Sequence, residues 1–186
     1  MQDITNDILI QASKGDIDSF ELIYKAAAGF VYNVAFRVIG NRQDAEEVTQ
    51  EVFLVIYHKL KYFRFQASFK TWIYRITMNR AINRYKKNLR ERGGMVEYDE
   101  AVCPVIVPHE IENKINQEQR EDTVISLLKS LNPDQKACVV LRNIEGLSYQ
   151  EIAEALKINI NTVRSRLKRA RESLIALGKE VVKNEL

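Results

Sequence analysis

Apolar residues recur at intervals of three and four along most of this chain, a spacing typical of amphipathic α-helices. No stretch of useful length alternates apolar and polar residues as a half-buried strand does. The pattern predicts helices over residues 3–12, 17–39, 41–60, 68–92, 111–131, 133–146, 148–156 and 159–177. We therefore predict an all-α fold.

The helical pattern fails between residues 93 and 110. This stretch begins with the pair Gly93-Gly94 and holds two of the chain's three prolines, Pro104 and Pro108. Such composition is typical of a linker. We predict two small helical domains, residues 1–92 and 112–186, joined by a flexible linker over 93–111.

The second domain ends in a predicted helix-turn-helix. Ser148 and Glu151 have the spacing of a capping box and predict the start of the first of its two helices. Asn159 is the predicted N-cap of the second helix, with Asn161 as the alternative, and Gly178 is its predicted end. One side of that second helix is apolar, through Ile160, Val163, Leu167, Ala170, Leu174 and Leu177. Its other faces carry arginines and lysines. A solvated helix face is the simplest interpretation of such charges, but the cap, the short turn and the basic helix together favour a DNA-binding element.

The small net charge of +3 conceals a strong segregation of charge along the chain. Residues 59–92 contain eleven Lys or Arg and one acid, whereas residues 93–122 contain eight acids and two bases. Residues 123–186 are again basic, with eleven Lys or Arg against seven acids. Two positive blocks separated by a negative one indicate two polyanion-binding surfaces.

The third predicted helix carries three acids, Asp44, Glu47 and Glu51, at positions i, i+3 and i+7. That spacing places the carboxylates on one side, opposite a valine-rich side. Composition alone favours a solvated face, in which Asp44 and Glu47 also interact with the helix dipole. The alternative is a docking surface for a basic protein.

Aromatic and cationic residues alternate over residues 61–87, in the fourth predicted helix and the loop before it. Trp72, Ile73 and Ile76 fit a buried stripe of that helix, whereas Phe63 and Phe65 lie in the predicted loop. Aromatic rings beside cations hold unstacked bases in single-stranded nucleic acid. The first domain is therefore predicted to bind opened DNA, and the second domain to bind duplex DNA.

Several classes of protein are disfavoured. No apolar run approaches the roughly 18 residues of a membrane span, and the N-terminus lacks the pattern of a secretion signal. We expect a cytoplasmic protein without direct membrane insertion. Cys138 is predicted to be a core residue and Cys103 a linker residue, and with two histidines the chain has no zinc-ligand spacing. We also found no catalytic constellation, so neither an enzyme nor a metal or other cofactor is expected.

Three blocks together resemble a bacterial RNA polymerase sigma factor of the extracytoplasmic-function (ECF) branch. They are DAEEVTQEVFLVIY at 44–57, FKTWIYRITMNRAINRYKK at 69–87 and LSYQEIAEALKININTVRSRLKRARE at 147–172. The resemblance covers nearly the whole chain, and it implies transcription initiation as the function. It also implies core RNA polymerase and promoter DNA as partners, with a duplex −35 element and a single-stranded −10 element. A cognate anti-sigma factor is a further implied partner and could hold the protein at the inner face of the membrane.

The resemblance also implies a role for particular residues. It assigns docking on core polymerase to Asp44, Glu47, Gln50 and Glu51. It assigns binding of the −10 element to Phe63, Arg64, Phe65, Lys70, Trp72, Arg75, Asn79, Arg80 and Asn83. It assigns binding of the −35 element to Thr162, Arg164, Ser165, Arg166, Lys168 and Arg169.

The chain departs from the family pattern at two positions. Asn83 stands where the family often has Asp, which leaves the −10 preference open, and Asn161 stands where it often has Gly. The main alternative function is a conventional transcription regulator with a sensory or dimerising first domain. A second alternative concerns the free chain, which could adopt a closed form in which acids of residues 97–112 contact the basic block of residues 59–92.

Overall fold

The computed structural model describes residues 4–65, 68–91 and 124–184, with side-chain surroundings up to residue 177. All regular elements in these ranges are helical, which confirms the predicted fold class. The chain divides into two compact units, residues 1–84 and 85–186. This boundary lies inside the fourth helix. The predicted linker over 93–111 lies outside the described residues and stays a prediction.

The N-terminal region contains four α-helices and a short 3₁₀ turn. They are α1 (Asn6–Ser13), α2 (Ile17–Ile39), α3 (Arg42–Lys59), the 3₁₀ turn (Leu60–Tyr62) and α4 (Phe69–Glu91). Each of the first three helices begins at a polar N-cap whose side chain accepts a backbone N–H: Thr5, Asp16 and Asn41. Gly40 ends α2 with a φ of 74°, a conformation that glycine adopts without a Cβ clash. These caps fix the α2–α3 corner, on which the acidic face of α3 depends.

The helix α2 forms the centre of the N-terminal core. Seven of its residues are buried: Ile23, Ala27, Val31, Val34, Ala35, Val38 and Ile39. By length and composition alone α2 is apolar enough to cross a membrane, although no uninterrupted apolar run within it approaches 18 residues. Its apolar residues serve instead to pack against α1 and α3, as in a core helix.

The C-terminal region is a series of short helices followed by a long one. They are α5 (described over residues 124–129), α6 (Pro133–Val139), a π turn (Val140–Ile144), α7 (Tyr149–Leu156) and α8 (Ile160–Asn184). Pro133 occupies the first turn of α6, and the capping box of Ser148 and Glu151 is present at α7, as predicted. The rest of the helix predicted over 111–131 lies outside the described residues.

The helices α7 and α8 pack through their apolar sides and form the predicted helix-turn-helix. Ile152, Ala153 and Ala155 of α7 are buried, as are Val163, Leu167, Ala170 and Leu177 of α8. Lys157 ends α7 in the left-handed region, with a φ of 54°. Asn159 caps α8, as predicted, because its Oδ1 accepts the backbone N–H of Asn161 at 2.8 Å.

The predicted end of α8 at Gly178 was wrong, because the helix continues to Asn184. A single glycine inside a helix costs only about 1 kcal/mol. In the sequence, Val181 and Val182 continue the apolar spacing of Leu174 and Leu177 beyond it.

Candidate nucleic-acid and protein interfaces

The three acids of α3 lie together and share one cation, Arg84 of α4. Nη1 of Arg84 donates to Asp44 Oδ1 at 3.1 Å and also to Glu47 Oε2. Nη2 donates to Glu51 Oε1 at 3.0 Å. The hydrogen bond to Glu47 is the main cause that raises the pKa of Arg84 above its usual value. We call Asp44, Glu47, Glu51 and Arg84 the carboxylate cluster.

The carboxylate cluster lies at the surface, and the opposite side of α3 packs into the core. Val48, Val52 and Ile56 on the opposite side of α3 are fully buried. Gln50, the fourth predicted docking residue, is exposed on the same helix. The expected two-sided character of α3 is therefore present, although the charges are partly neutralised from within the chain.

Sequence reasoning missed Arg84. The basic character of residues 59–92 was recognised, but periodicity within α4 does not show which of its cations faces α3. Arg80, predicted to contact the −10 element, also turns toward α3, and its Nη1 lies 3.4 Å from Glu51 Oε2. Both oxygens of Glu51 therefore face an arginine.

Phe63, Phe65, Phe69 and Trp72 form an aromatic cluster where the loop meets α4. The Phe63 ring centroid lies 4.9 Å from that of Phe65 and 5.1 Å from that of Trp72. Phe69 is buried, Phe63 and Trp72 are half-buried, and Phe65 is 46% exposed. Phe65 has a φ of 56°, a left-handed conformation that is uncommon for a bulky residue. The cluster thus combines buried and half-buried rings with one accessible ring, that of Phe65.

The other predicted −10 residues are distributed around this cluster and along α4. Arg64 and Lys70 are exposed beside it, and Lys70 Nζ lies 5.8 Å from the centre of the Tyr74 ring. Asn79 and Asn83 are exposed one helical turn apart. Arg75 is half-buried within α4.

The first turns of α8 carry the residues predicted for the −35 element. Arg164, Ser165, Lys168 and Arg169 are exposed, whereas Thr162 and Arg166 are half-buried. Arg164 Nη1 donates to Asn161 Oδ1 at 3.0 Å, so the residue that departs from the family pattern orients this arginine. The Ser165 hydroxyl donates to the Thr162 carbonyl at 3.0 Å.

Arg166 differs from its neighbours because it faces α6. Its Nη2 lies 3.6 Å from Asp134 Oδ1, and the two side chains are 26% and 20% exposed. Cys138, on the same helix as Asp134, is fully buried, as predicted, and burial raises the pKa of its thiol to about 11. Cys103 lies outside the described residues. No group of acids, histidines and cysteines suited to a metal ion occurs within the described ranges.

The chain matches two family models in the same order as these surfaces. Residues 23–91 match sigma-70 region 2, and residues 121–174 match sigma-70 region 4. The first match contains the carboxylate cluster and the aromatic cluster. The second match contains the helix-turn-helix.

Curated relatives extend the similarity over most of the chain. ECF RNA polymerase sigma factor SigW of Bacillus subtilis is 30% identical over 173 residues, 88% of this chain and 91% of SigW. ECF RNA polymerase sigma-E factor of Escherichia coli is 31% identical over 183 residues, 93% of this chain and 94% of that protein.

Solved structures agree in fold. CnrH in complex with the cytosolic domain of CnrY has a TM-score of 0.69 at 24% identity, over 96% of this chain and 99% of that one. RpoE in complex with the anti-sigma factor NepR from Bartonella quintana has a TM-score of 0.63 at 22% identity, over 88% and 98%. With both regions matched in order and the relatives covered almost end to end, the chain belongs to the ECF sigma factors of RNA polymerase.

Proposed function

We propose that this chain binds core RNA polymerase and directs it to promoters, where it recognises the −35 and −10 elements and helps to open the DNA. The observation that carries the proposal is the order of three surfaces in one ECF sigma factor: acids on α3, aromatics beside α4 and cations on α8. Each surface suits a different step of initiation. None of these steps needs covalent chemistry, so we propose an initiation factor without catalytic activity.

The −35 step is assigned to the first turns of α8. A helix with its apolar side on a partner helix and exposed cations on the other fits a major groove. Arg164 and Arg169 are the proposed contacts to base edges, and Lys168 and Ser165 are the proposed contacts to the backbone. A bidentate arginine–guanine pair contributes about 1–3 kcal/mol of discrimination.

The −10 step is assigned to the aromatic cluster with Asn79 and Asn83. An unpaired base can stack on an accessible ring such as that of Phe65, and a stacked base is worth about 1–3 kcal/mol. The amides of the two asparagines are suited to base edges. Binding one strand in this way shifts the equilibrium toward opened DNA.

Docking is assigned to the α3 surface. Glu47 and Glu51 remain 46% and 40% exposed while bound to Arg84, so both are available to a basic protein surface. Electrostatic complementarity of this kind sets orientation and the rate of association. The paired state of the carboxylates in the free chain does not remove this role, because the cluster keeps a net negative charge.

The anti-sigma partner and the site of action are proposed by analogy. NepR is bound to RpoE in one similar structure and the cytosolic domain of CnrY to CnrH in another. We propose that an anti-sigma protein covers the polymerase-binding and DNA-binding surfaces of this chain, and that the chain acts in the cytoplasm. A membrane-bound partner would hold it at the inner face.

The test is transcription in vitro with purified core polymerase and a pool of genomic promoter fragments, followed by sequencing of the start sites. We expect start sites that share −35 and −10 sequences, obtained only when this chain is added. The free chain should bind the same duplex promoters weakly. Tight, specific duplex binding without polymerase would favour a conventional regulator instead.

A further inference from the structure

Arg84 joins three carboxylates that belong to three successive turns of α3. A guanidinium has five N–H donors in a rigid plane, so a single arginine can serve several carboxylates at once. Without a cation between them, the three acids repel one another at close range. The arrangement of the acids therefore depends on a residue of another helix.

Exposure separates the members of the carboxylate cluster into an inner and an outer pair. The side chains of Arg84 and Asp44 are 19% and 20% exposed, whereas those of Glu47 and Glu51 are 46% and 40% exposed. The cation thus lies on the inner side of the cluster. It holds the glutamates without covering the surface that they offer to a partner.

We propose that Arg84 is a positioning residue for docking: it fixes the carboxylates of α3 in the array that the basic surface of core polymerase binds. This inference rests on the proposed function of the α3 surface. For a substitution of Arg84, the positioning role and the change in net charge predict opposite effects on polymerase affinity. Replacing Arg84 by a neutral residue makes the surface more negative, which by long-range electrostatics favours a basic partner. Loss of positioning weakens binding instead.

The test measures the affinity of purified core polymerase for the full chain and its variants, without DNA, at a temperature well below every variant's unfolding midpoint. We expect Arg84→Gln to weaken binding on the order of five-fold. Arg84→Lys keeps the charge but replaces the planar fork of five donors by a compact ammonium with three, so it should weaken binding by a smaller factor. Lys87→Gln is the matched control, because Lys87 is an exposed cation of α4 whose ion pair is to Glu91 on its own helix.

A double-mutant cycle separates positioning from a general loss of stability. Glu47→Gln with Glu51→Gln removes the outer carboxylates, and in that background Arg84→Gln should have no further effect on polymerase affinity. A purely structural role would give the same fold-change in both backgrounds. If Arg84→Gln does not fold, the same cycle is run with Arg84→Lys.

The outcomes are distinguishable. Unchanged or tighter binding of the Arg84 variants, or a full Arg84 effect in the glutamine background, overturns the positioning role. Unchanged affinity of the double glutamine variant overturns the docking function itself, whatever Arg84 does. A loss in the double glutamine variant with no loss at Arg84 leaves docking intact and rejects only this inference.

Discussion

The cationic side chains at the start of α8 have different surroundings. Arg164 is exposed and is held by Asn161, whereas Arg166 is half-buried against Asp134. A helical projection of the sequence places both arginines outside the apolar stripe of α8, on its opposite flanks. The contact of Arg166 with α6 depends on how the two helices pack, which the projection does not contain.

Replacing Arg164 by alanine should reduce transcription from promoters that depend on the −35 element about tenfold, because a base contact is lost. Affinity for core polymerase should stay the same. Transcription in vitro and polymerase binding are measured in parallel, with Lys129→Ala as a control that removes an exposed cation of α5. Equal promoter use by Arg164→Ala and the wild type would contradict the groove-facing assignment.

Arg166→Ala and Asp134→Asn each break the Arg166–Asp134 ion pair, and Asp134→Asn also removes the longer pair with Lys86. We expect each to lower the free energy of unfolding of the C-terminal domain by about 0.5 kcal/mol, a small value for a partly exposed pair. Chemical denaturation measures this change. A normal stability of Arg166→Ala combined with a large loss of −35 binding would show that Arg166 contacts DNA instead.

At the scale of elements, the caps and apolar stripes were predictable from the sequence, and the interfaces between helices were not. Asn41, Ser148 and Asn159 act on neighbours within a few residues, so local chemistry identifies them. Arg84 meets Asp44 across forty residues of chain. No local pattern encodes such a pairing, which is why the candidate docking site was predicted without the cation that organises it.

Charge reversal on α3 is tested by the double variant Glu47→Lys with Glu51→Lys. It should weaken binding to core polymerase by at least tenfold, because the new lysines then face the basic surface of polymerase. Binding is measured by competition with the unmodified chain. Glu46→Lys with Glu91→Lys makes the same change of net charge at two exposed acids outside the cluster. Equal losses in the two variants would attribute the effect to overall charge and favour a solvated face for α3.

Truncation of the aromatic cluster, Phe63→Ala with Phe65→Ala, should reduce promoter opening about tenfold while polymerase still binds the −35 element, because base stacking is lost. Permanganate reactivity of unpaired thymines measures opening. A template with a mismatched −10 region supplies the control, since it needs no melting and should restore part of the transcription. Normal opening by this variant would reject the cluster as the site that captures a base.

For the whole molecule, the sequence predicted an all-α chain that ends in a helix-turn-helix, and the described residues confirm this fold. It misjudged the end of α8, because a single glycine does not stop the helix, which continues to Asn184. The linker over 93–111 and its acids lie outside the described residues, so the closed form of the free chain stays a prediction.

The left-handed conformation of Lys157 has a practical consequence for the use of this protein as a transcription factor in another host. A side chain with a Cβ pays about 1 kcal/mol in that conformation, and glycine does not. Lys157→Gly should therefore raise the thermal midpoint of the C-terminal domain by several degrees, which calorimetry measures, with start-site choice in vitro unaltered. A lower midpoint would mean that the lysine side chain contributes more than its backbone costs. If the midpoint rises and start-site choice is unaltered, thermal stability and promoter choice are separate properties of the protein and can be engineered independently.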